Sequence, residues 1–156
     1  MTQTSIKTID AFLQQHRIAF IGVSRDPKDF SRTLMSEFVK RGYEIVPVNP
    51  NAPEIDGKAC YKSVQDIQPP VDAAFLTTTP QVTEQVIRDC AQAGVKYVWM
   101  QRGAGIGSVS QTAVSFGESA GMQIVPGQCP LMFFPNTPFF HRIHKFVKKV
   151  SGTLPV

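Results

Sequence analysis

Short apolar runs of strand length alternate with amphipathic helical patterns along this 156-residue chain. Residues 18–23 and 71–77 are apolar almost throughout, which is typical of strands covered on both faces of a parallel sheet. Parallel strands need a crossover connection, and that connection lays a helix on a face of the sheet. The pattern therefore predicts an α/β fold, with a doubly wound and mainly parallel sheet flanked by helices.

The predicted sheet has the strand order 3-2-1-4-5-6, with a short third strand in a proline-rich stretch. The six strands are expected at residues 18–23, 43–48, 58–61, 71–77, 96–101 and 122–125. The whole chain, residues 1–156, is expected to form one domain with its core at about 12–130, because its length is that of a single globular domain. A last helix is predicted at about 138–150.

Polar residues before the apolar stripes indicate where the helices begin. Thr4 or Ser5 is the expected cap of a helix ending near Gln15, and Ser31 that of the helix after strand 1. Thr79, followed by Pro80, is expected to cap the next helix. Ser108 with Gln111 three residues later has the spacing of a capping box.

Composition narrows the compartment and the partners. No apolar run approaches the roughly 20 residues that a membrane span requires, and no secretory signal is evident. Three widely spaced cysteines fit a reducing compartment, so we expect a cytoplasmic protein. The net charge of +4 suits an anionic ligand without indicating nucleic acid. An oligomeric state or protein partner is left open.

The predicted last helix has a basic face and two histidines. An alternative function is binding of nucleic acid or an acidic partner by this basic face, which consists of Arg142, Lys145, Lys148 and Lys149. Such a stripe is usually a solvated face. His141 and His144 lack a third ligand at helical spacing, so no metal site is predicted.

The predicted ligand site is the crevice where the chain reverses between strands 1 and 4. Gly22 closes strand 1 and lets a ligand approach the backbone, and the following helix start favours phosphate. Ser24 and Ser31 offer hydroxyls, while positive charge comes from Arg25, Lys28 and Arg32. Thr77 to Pro80 form the opposite rim.

Strand 2 argues against a nicotinamide dinucleotide. An NAD site usually has a carboxylate near the end of this strand to bind the ribose hydroxyls, but here the strand ends in Val48, Asn49 and Pro50. An NADP-dependent oxidoreductase is the alternative, with Arg25 or Arg32 at the 2′-phosphate and Tyr61 or Cys129 in proton transfer.

Five motifs in this order resemble the CoA-binding domain family, the relatives of the nucleotide-binding domain of the succinyl-CoA synthetase alpha subunit. They are "IGVSRDPKDFS", "GYEIVPVNP", "IDGKACYKSVQDI", "VDAAFLTTTP" and "GVKYVWMQRG". The resemblance covers about residues 12–130 and implies a Rossmann-like fold that binds coenzyme A. It also implies Gly22, Ser24 and Ser31 near the phosphates, the strand 2 end near the adenosine, and Thr79 with Pro80 at the opposite rim.

The expected function is non-catalytic binding of CoA or an acyl-CoA, with regulation or CoA handling as the outcome. No catalytic residue is predicted. Cys129 is placed on the ligand side after the last strand, where it either meets a pantetheine thiol in a mixed disulfide or is inert. The complete predicted binding set is Gly22, Val23, Ser24, Arg25, Lys28, Ser31, Arg32, Val48, Asn49, Pro50, Thr77, Thr78, Thr79, Pro80, Gln101 and Cys129.

Overall fold

The fold is described from a computed structural model, which covers residues 5–102 and 107–134. Strands and helices alternate along the chain as the apolar periodicity predicts. The helices are α1 (Ile6–Leu13), α2 (Phe30–Lys40), α3 (Pro80–Gln92) and α4 (Gln111–Ser119). The strands are β1 (Arg17–Ile21), β2 (Glu44–Val48), β3 (Glu54–Ile55), β4 (Lys58–Ala59), β5 (Ala73–Leu76), β6 (Tyr97–Gln101) and β7 (Gln123–Gln128).

Five strands form one parallel sheet in the order β2-β1-β5-β6-β7. This is a Rossmann-like α/β sheet, so the predicted fold class is confirmed. The chain first builds outward from β1 to β2 and then returns to add β5 on the other side of β1. The reversal point predicted between strands 1 and 4 is therefore the boundary between β1 and β5.

The predicted short third strand reaches the main sheet at a single point. Its first residues, β4, pair antiparallel with β3 in a small hairpin whose turn residues Asp56 and Gly57 have φ of 51° and 75°. Positive φ at both turn residues is the geometry that two-residue hairpins favour. Because β4 pairs with β3 in this hairpin, it does not pair with β2 in the main sheet. Only Tyr61 bridges β2, in parallel with Val48, and its N–H donates to the Pro47 carbonyl (3.0 Å).

The core lies in two layers, one on each face of the sheet. Helices α1 and α2 cover a layer rich in aromatic rings, in which Phe75 stacks on Phe20 with ring centroids 4.8 Å apart. Phe38 meets the same Phe75 edge-on at 5.2 Å, and Phe12 meets Trp99 at 5.3 Å. Helices α3 and α4 cover the other layer, which is mainly aliphatic.

Two of the predicted helix caps are confirmed and two are wrong. Ser5 caps α1 and Thr79 caps α3, with Pro80 in the first turn. Asp29, not Ser31, caps α2, because its carboxylate accepts the Ser31 N–H at 2.8 Å. The α4 cap is Ser110.

Ser108, the other wrong cap, has a different role. It is buried, and its hydroxyl donates to the Leu76 carbonyl at 2.9 Å.

The predicted last helix, with His141, His144 and the basic stripe, lies outside the described residues. In residues 5–102 and 107–134 the longest helix, α3, has 13 residues, and no helix is long and apolar enough to cross a bilayer.

Phe75 has ring contacts with four other aromatic side chains and no exposed surface, so we expect it to dominate the aromatic layer. Phe75→Ala should lower the free energy of unfolding by about 3 to 5 kcal/mol, because it removes buried area and leaves a cavity. Phe30→Ala is the matched control, since Phe30 is 51% exposed and should cost less than about 1 kcal/mol. Urea denaturation measures both, and equal losses would contradict the described core.

Candidate functional site

A cleft of about 400 Å³ opens at the carboxyl ends of β1 and β2, on the face covered by α3. Its size is within the usual range of small-molecule sites. One wall is α3 and the opposite wall is the chain that follows β2. The lining residues are Ile21, Gly22, Val48, Asn49, Pro50, Asn51, Lys62, Ser63, Val64, Thr78, Val82, Gln85, Val86 and Asp89.

Gly22 forms the floor of the cleft where β1 meets β5. Its φ is +91°, which side-chain-bearing residues rarely adopt. A Cβ at this position would lie 2.8 Å from Thr78 Cγ2 and 3.0 Å from the Thr78 nitrogen, so the two chain segments approach as closely as atoms allow. Only glycine fits this position, which lines the cleft, and its N–H donates to the Val48 carbonyl (3.0 Å).

Asn49, which follows β2, forms hydrogen bonds with both the nitrogen and the oxygen of its side-chain amide. Its amide nitrogen donates to the Val23 carbonyl (2.9 Å), and its side-chain oxygen accepts the Asn51 N–H (2.7 Å). The Asn49 backbone N–H donates to Tyr61 (2.9 Å). Asn49 thus holds the loop after β1 and the chain after β2 together, which sets the width of the cleft.

Helix α3 contributes a wall with both apolar and polar side chains. The apolar members are Val82 and Val86, and Val82 is 49% exposed although it is a large hydrophobic residue. The polar members are Gln85 and Asp89, and Asp89 Oδ1 accepts amide hydrogens from Gln85 (3.1 Å) and Gln65 (3.3 Å). An apolar wall with a few fixed polar groups is the usual composition of a small-molecule site.

The loop between β1 and α2 lies beside the cleft and is held by its own hydrogen bonds. The Ser31 hydroxyl accepts the Ser24 N–H (2.9 Å), and the Ser24 hydroxyl accepts the Asp26 N–H (3.0 Å). Arg25 and Lys28 are exposed. None of these residues lines the cleft in this structure, so their predicted ligand contacts stay predictions.

Arg32 fastens this loop to the β3–β4 hairpin. Its guanidinium donates to the carbonyls of Ser24 (3.3 Å) and Arg25 (3.1 Å) and pairs with the Asp56 carboxylate. The side chain is 11% exposed. These contacts make Arg32 a structural clamp, and its predicted contact with a phosphate stays a prediction.

The rim after β5 is also held from within. The Thr77 hydroxyl donates to the Ile21 carbonyl (3.3 Å), and the hydroxyls of Thr78 and Thr83 share a hydrogen bond of 2.6 Å. Thr79 and Pro80 start α3. Of this rim, Thr78 is the residue that lines the cleft.

Gln101 and Cys129 lie farther along the sheet. Gln101 ends β6 and is buried, and its side-chain oxygen has no hydrogen-bond partner within the described ranges. Cys129 follows β7, with β5 and β6 between it and β1, a separation of about 14 Å at the usual strand spacing. The structure therefore brings together Gly22, Val48, Asn49, Pro50 and Thr78 from the predicted set and leaves Gln101 and Cys129 outside the cleft.

Burial disfavours the thiolate form of two other cysteines, Cys60 and Cys90. Burial raises the pKa of Cys60, whose thiol lies against the Asn49 carbonyl. Burial raises the pKa of Cys90 to about 12. In the described part of the chain, no three His, Cys, Asp or Glu side chains cluster as a metal ion would require.

Sequence reasoning missed one wall of the cleft, which holds Lys62, Ser63 and Val64. These residues follow the predicted third strand, and their position depends on the bridge between Tyr61 and Val48. It also missed the α3 face, because the predicted binding set contains no residue of this helix beyond Pro80. The signal was present in the spacing of Val82, Gln85, Val86 and Asp89, which recur at helical intervals.

A parallel sheet with a cleft at its reversal point defines the Rossmann-like α/β class. Residues 16–135 match the family model described as the CoA binding domain, so the chain belongs to the CoA-binding domain family.

Comparison with individual proteins gives the same picture. The acetate–CoA ligase (ADP-forming) II subunit alpha of Pyrococcus furiosus is 30% identical over an alignment of 129 residues, and the alignment covers 78% of this chain and 28% of that subunit. The uncharacterized protein YneT of Bacillus subtilis is 26% identical, over 83% of this chain and 93% of YneT. A solved hypothetical protein from Pyrococcus horikoshii OT3 has a TM-score of 0.72 at 27% identity, over 83% of this chain and 93% of that one. This chain thus spans about a quarter of the ligase subunit.

Gly22→Ala should destabilise the protein more than Gly42→Ala does. Both glycines have φ near +90°, but a Cβ at Gly42 meets nothing within 4 Å, whereas one at Gly22 collides with Thr78. We expect about 1 to 2 kcal/mol for the backbone at each site, and a further 1 to 3 kcal/mol at Gly22 for the collision. Thermal and urea unfolding measure the difference. Equal costs would show that β1 and β5 are farther apart than described.

Proposed function

We propose that this protein binds coenzyme A or an acyl-CoA in the cleft at the carboxyl ends of β1 and β2. The observation that carries the proposal is the coincidence of the family match with a cleft at the reversal point of the sheet, floored by Gly22. Nucleotide ligands of open α/β sheets bind at such a point.

The charge around the cleft suits a ligand with phosphate groups. The diphosphate is expected near Gly22, where a missing side chain lets it approach the backbone. Arg25 and Lys28 are exposed on the adjoining loop, and Lys62 lines the cleft itself. The apolar wall of Val82 and Val86 suits the adenine ring or the pantetheine chain.

The proposed role is to hold the ligand without transforming it. Among the residues that the structure describes, the cleft lining contains neither histidine nor cysteine, and its carboxylate, Asp89, is hydrogen-bonded to two amides. General acid–base or nucleophilic chemistry needs such a group paired with a positioned partner. Ligation by the much longer relatives is an activity of those proteins, and a regulatory or CoA-handling role is the one proposed for this chain.

Thermal stability in the presence of candidate ligands tests this proposal directly. CoA and acetyl-CoA should raise the melting temperature, since a ligand at 100 times its Kd stabilises by about 2.7 kcal/mol. NAD and ATP should give smaller shifts at equal concentration. A shift with NADP and none with CoA would contradict the proposal and favour the oxidoreductase alternative.

Val82→Glu tests the location of the site. Val82 is 49% exposed, so the substitution should change the free energy of unfolding by only about 0.5 kcal/mol. It places a carboxylate on the apolar wall, where a bound ligand would have to desolvate it, and we expect CoA affinity to fall at least about 10-fold.

Val39→Glu is the matched control for this variant. Val39 is 38% exposed on α2, away from the cleft, so this variant should bind CoA as the unmodified protein does. Isothermal titration calorimetry measures both. Unchanged CoA affinity in a folded Val82→Glu protein would move the site elsewhere.

A further inference from the structure

The chain after the hairpin runs beside the end of β2 and extends the sheet by one bridge. Tyr61 takes the place of a neighbouring strand, donating its N–H to Pro47 (3.0 Å) and accepting the Asn49 N–H (2.9 Å). Because Tyr61 pairs in parallel with Val48, the next residue, Lys62, lies level with Asn49 at the carboxyl end of the strand.

This is the position at which an open α/β sheet reads the ribose of a nucleotide. An acidic residue at the end of the second strand usually binds a ribose diol, whereas a nearby basic residue accommodates a phosphate on the ribose. Here the end of β2 has no carboxylate. Asn49 is uncharged there, and both ends of its side-chain amide already have a hydrogen-bond partner within the protein.

Among the described residues, Lys62 is the cationic member of the cleft lining. It is exposed, and within residues 5–102 and 107–134 it has no carboxylate partner within ion-pair distance. Asp89, the acidic member of the lining, lies on the opposite wall and is held by Gln65 and Gln85. The ribose end of the cleft therefore offers a positive charge without a neutralising partner.

We propose that Lys62 selects nucleotides that carry a phosphate on the ribose. The inference rests on the proposed function, in which the ligand is CoA and the group is its 3′-phosphate. The 2′-phosphate of NADP is also a phosphate on a ribose. The experiment below therefore titrates both CoA and NADP to distinguish these two ligands. Lys62 is thus a specificity-determining residue.

Calorimetric titration of two ligand pairs tests this inference. The pairs are CoA with 3′-dephospho-CoA, and NADP with NAD. CoA should bind more tightly than 3′-dephospho-CoA by about 10-fold or more, the range of a hydrogen bond to a charged group. In Lys62→Gln the two ligands should bind alike, while Lys62→Arg should retain the preference. Raising the salt concentration from about 0.1 M to about 1 M should reduce the preference, because the screening length falls from about 10 Å to about 3 Å.

Lys96→Gln is the matched control. Lys96 precedes β6 at the opposite end of the sheet and is exposed, so the same loss of charge there should leave the preference unchanged. A melting temperature close to that of the unmodified protein establishes that Lys62→Gln is folded, since Lys62 is exposed.

The possible outcomes separate this inference from the proposed function. Equal affinity for CoA and 3′-dephospho-CoA would overturn the role of Lys62 and leave CoA binding intact. If neither CoA compound binds but NADP binds more tightly than NAD in a Lys62-dependent way, ribose-phosphate selection stands and CoA binding fails. Absence of binding by all four ligands would overturn both, and so would a preference that Lys62→Gln retains.

Discussion

The close approach of β1 and β5 at Gly22 is the constraint on which the site depends. With a side chain at this position, the Thr78 backbone and methyl group would have to move away. The two strand ends would separate at the point where the sheet reverses direction. The floor of the cleft and the start of α3 are consequently set by one residue that has no side chain.

Much of the surrounding polar structure holds the cleft open and leaves few groups for direct contact with a ligand. Asn49, Thr77 and Thr78 all direct their side chains to protein partners, and Arg32 links the loop after β1 to the hairpin after β2. A rigid frame of this kind lowers the entropic cost of ordering the site when a ligand binds. Among the described residues, the lining also includes the apolar side chains of Val82 and Val86 and the exposed Lys62.

The positions of the buried strands could be predicted because apolar runs such as residues 18–23 record burial on both faces directly in the sequence. The reversal point then followed from the rules for crossover connections, whereas the predicted third strand reaches the sheet only through Tyr61. Cap positions were harder to predict. Asp29 and Ser31 are both good caps two residues apart, and only the backbone path decides between them. Contacts distant in the chain were out of reach, as with Arg32 and Asp56, which are 24 residues apart. Lys62 lies at the cleft because Tyr61, the residue before it, bridges β2, and no local sequence pattern predicts that bridge.

The two outer strands of the sheet each contain a proline, Pro47 in β2 and Pro126 in β7. The Pro47 carbonyl faces outward, where it accepts the Tyr61 N–H, so the nitrogen that lacks a hydrogen belongs to the same outward side. A strand from another molecule that docked along β2 would find this donor missing and Tyr61 already in place. Edge-to-edge aggregation is thereby discouraged at the edge strand whose carboxyl end borders the cleft.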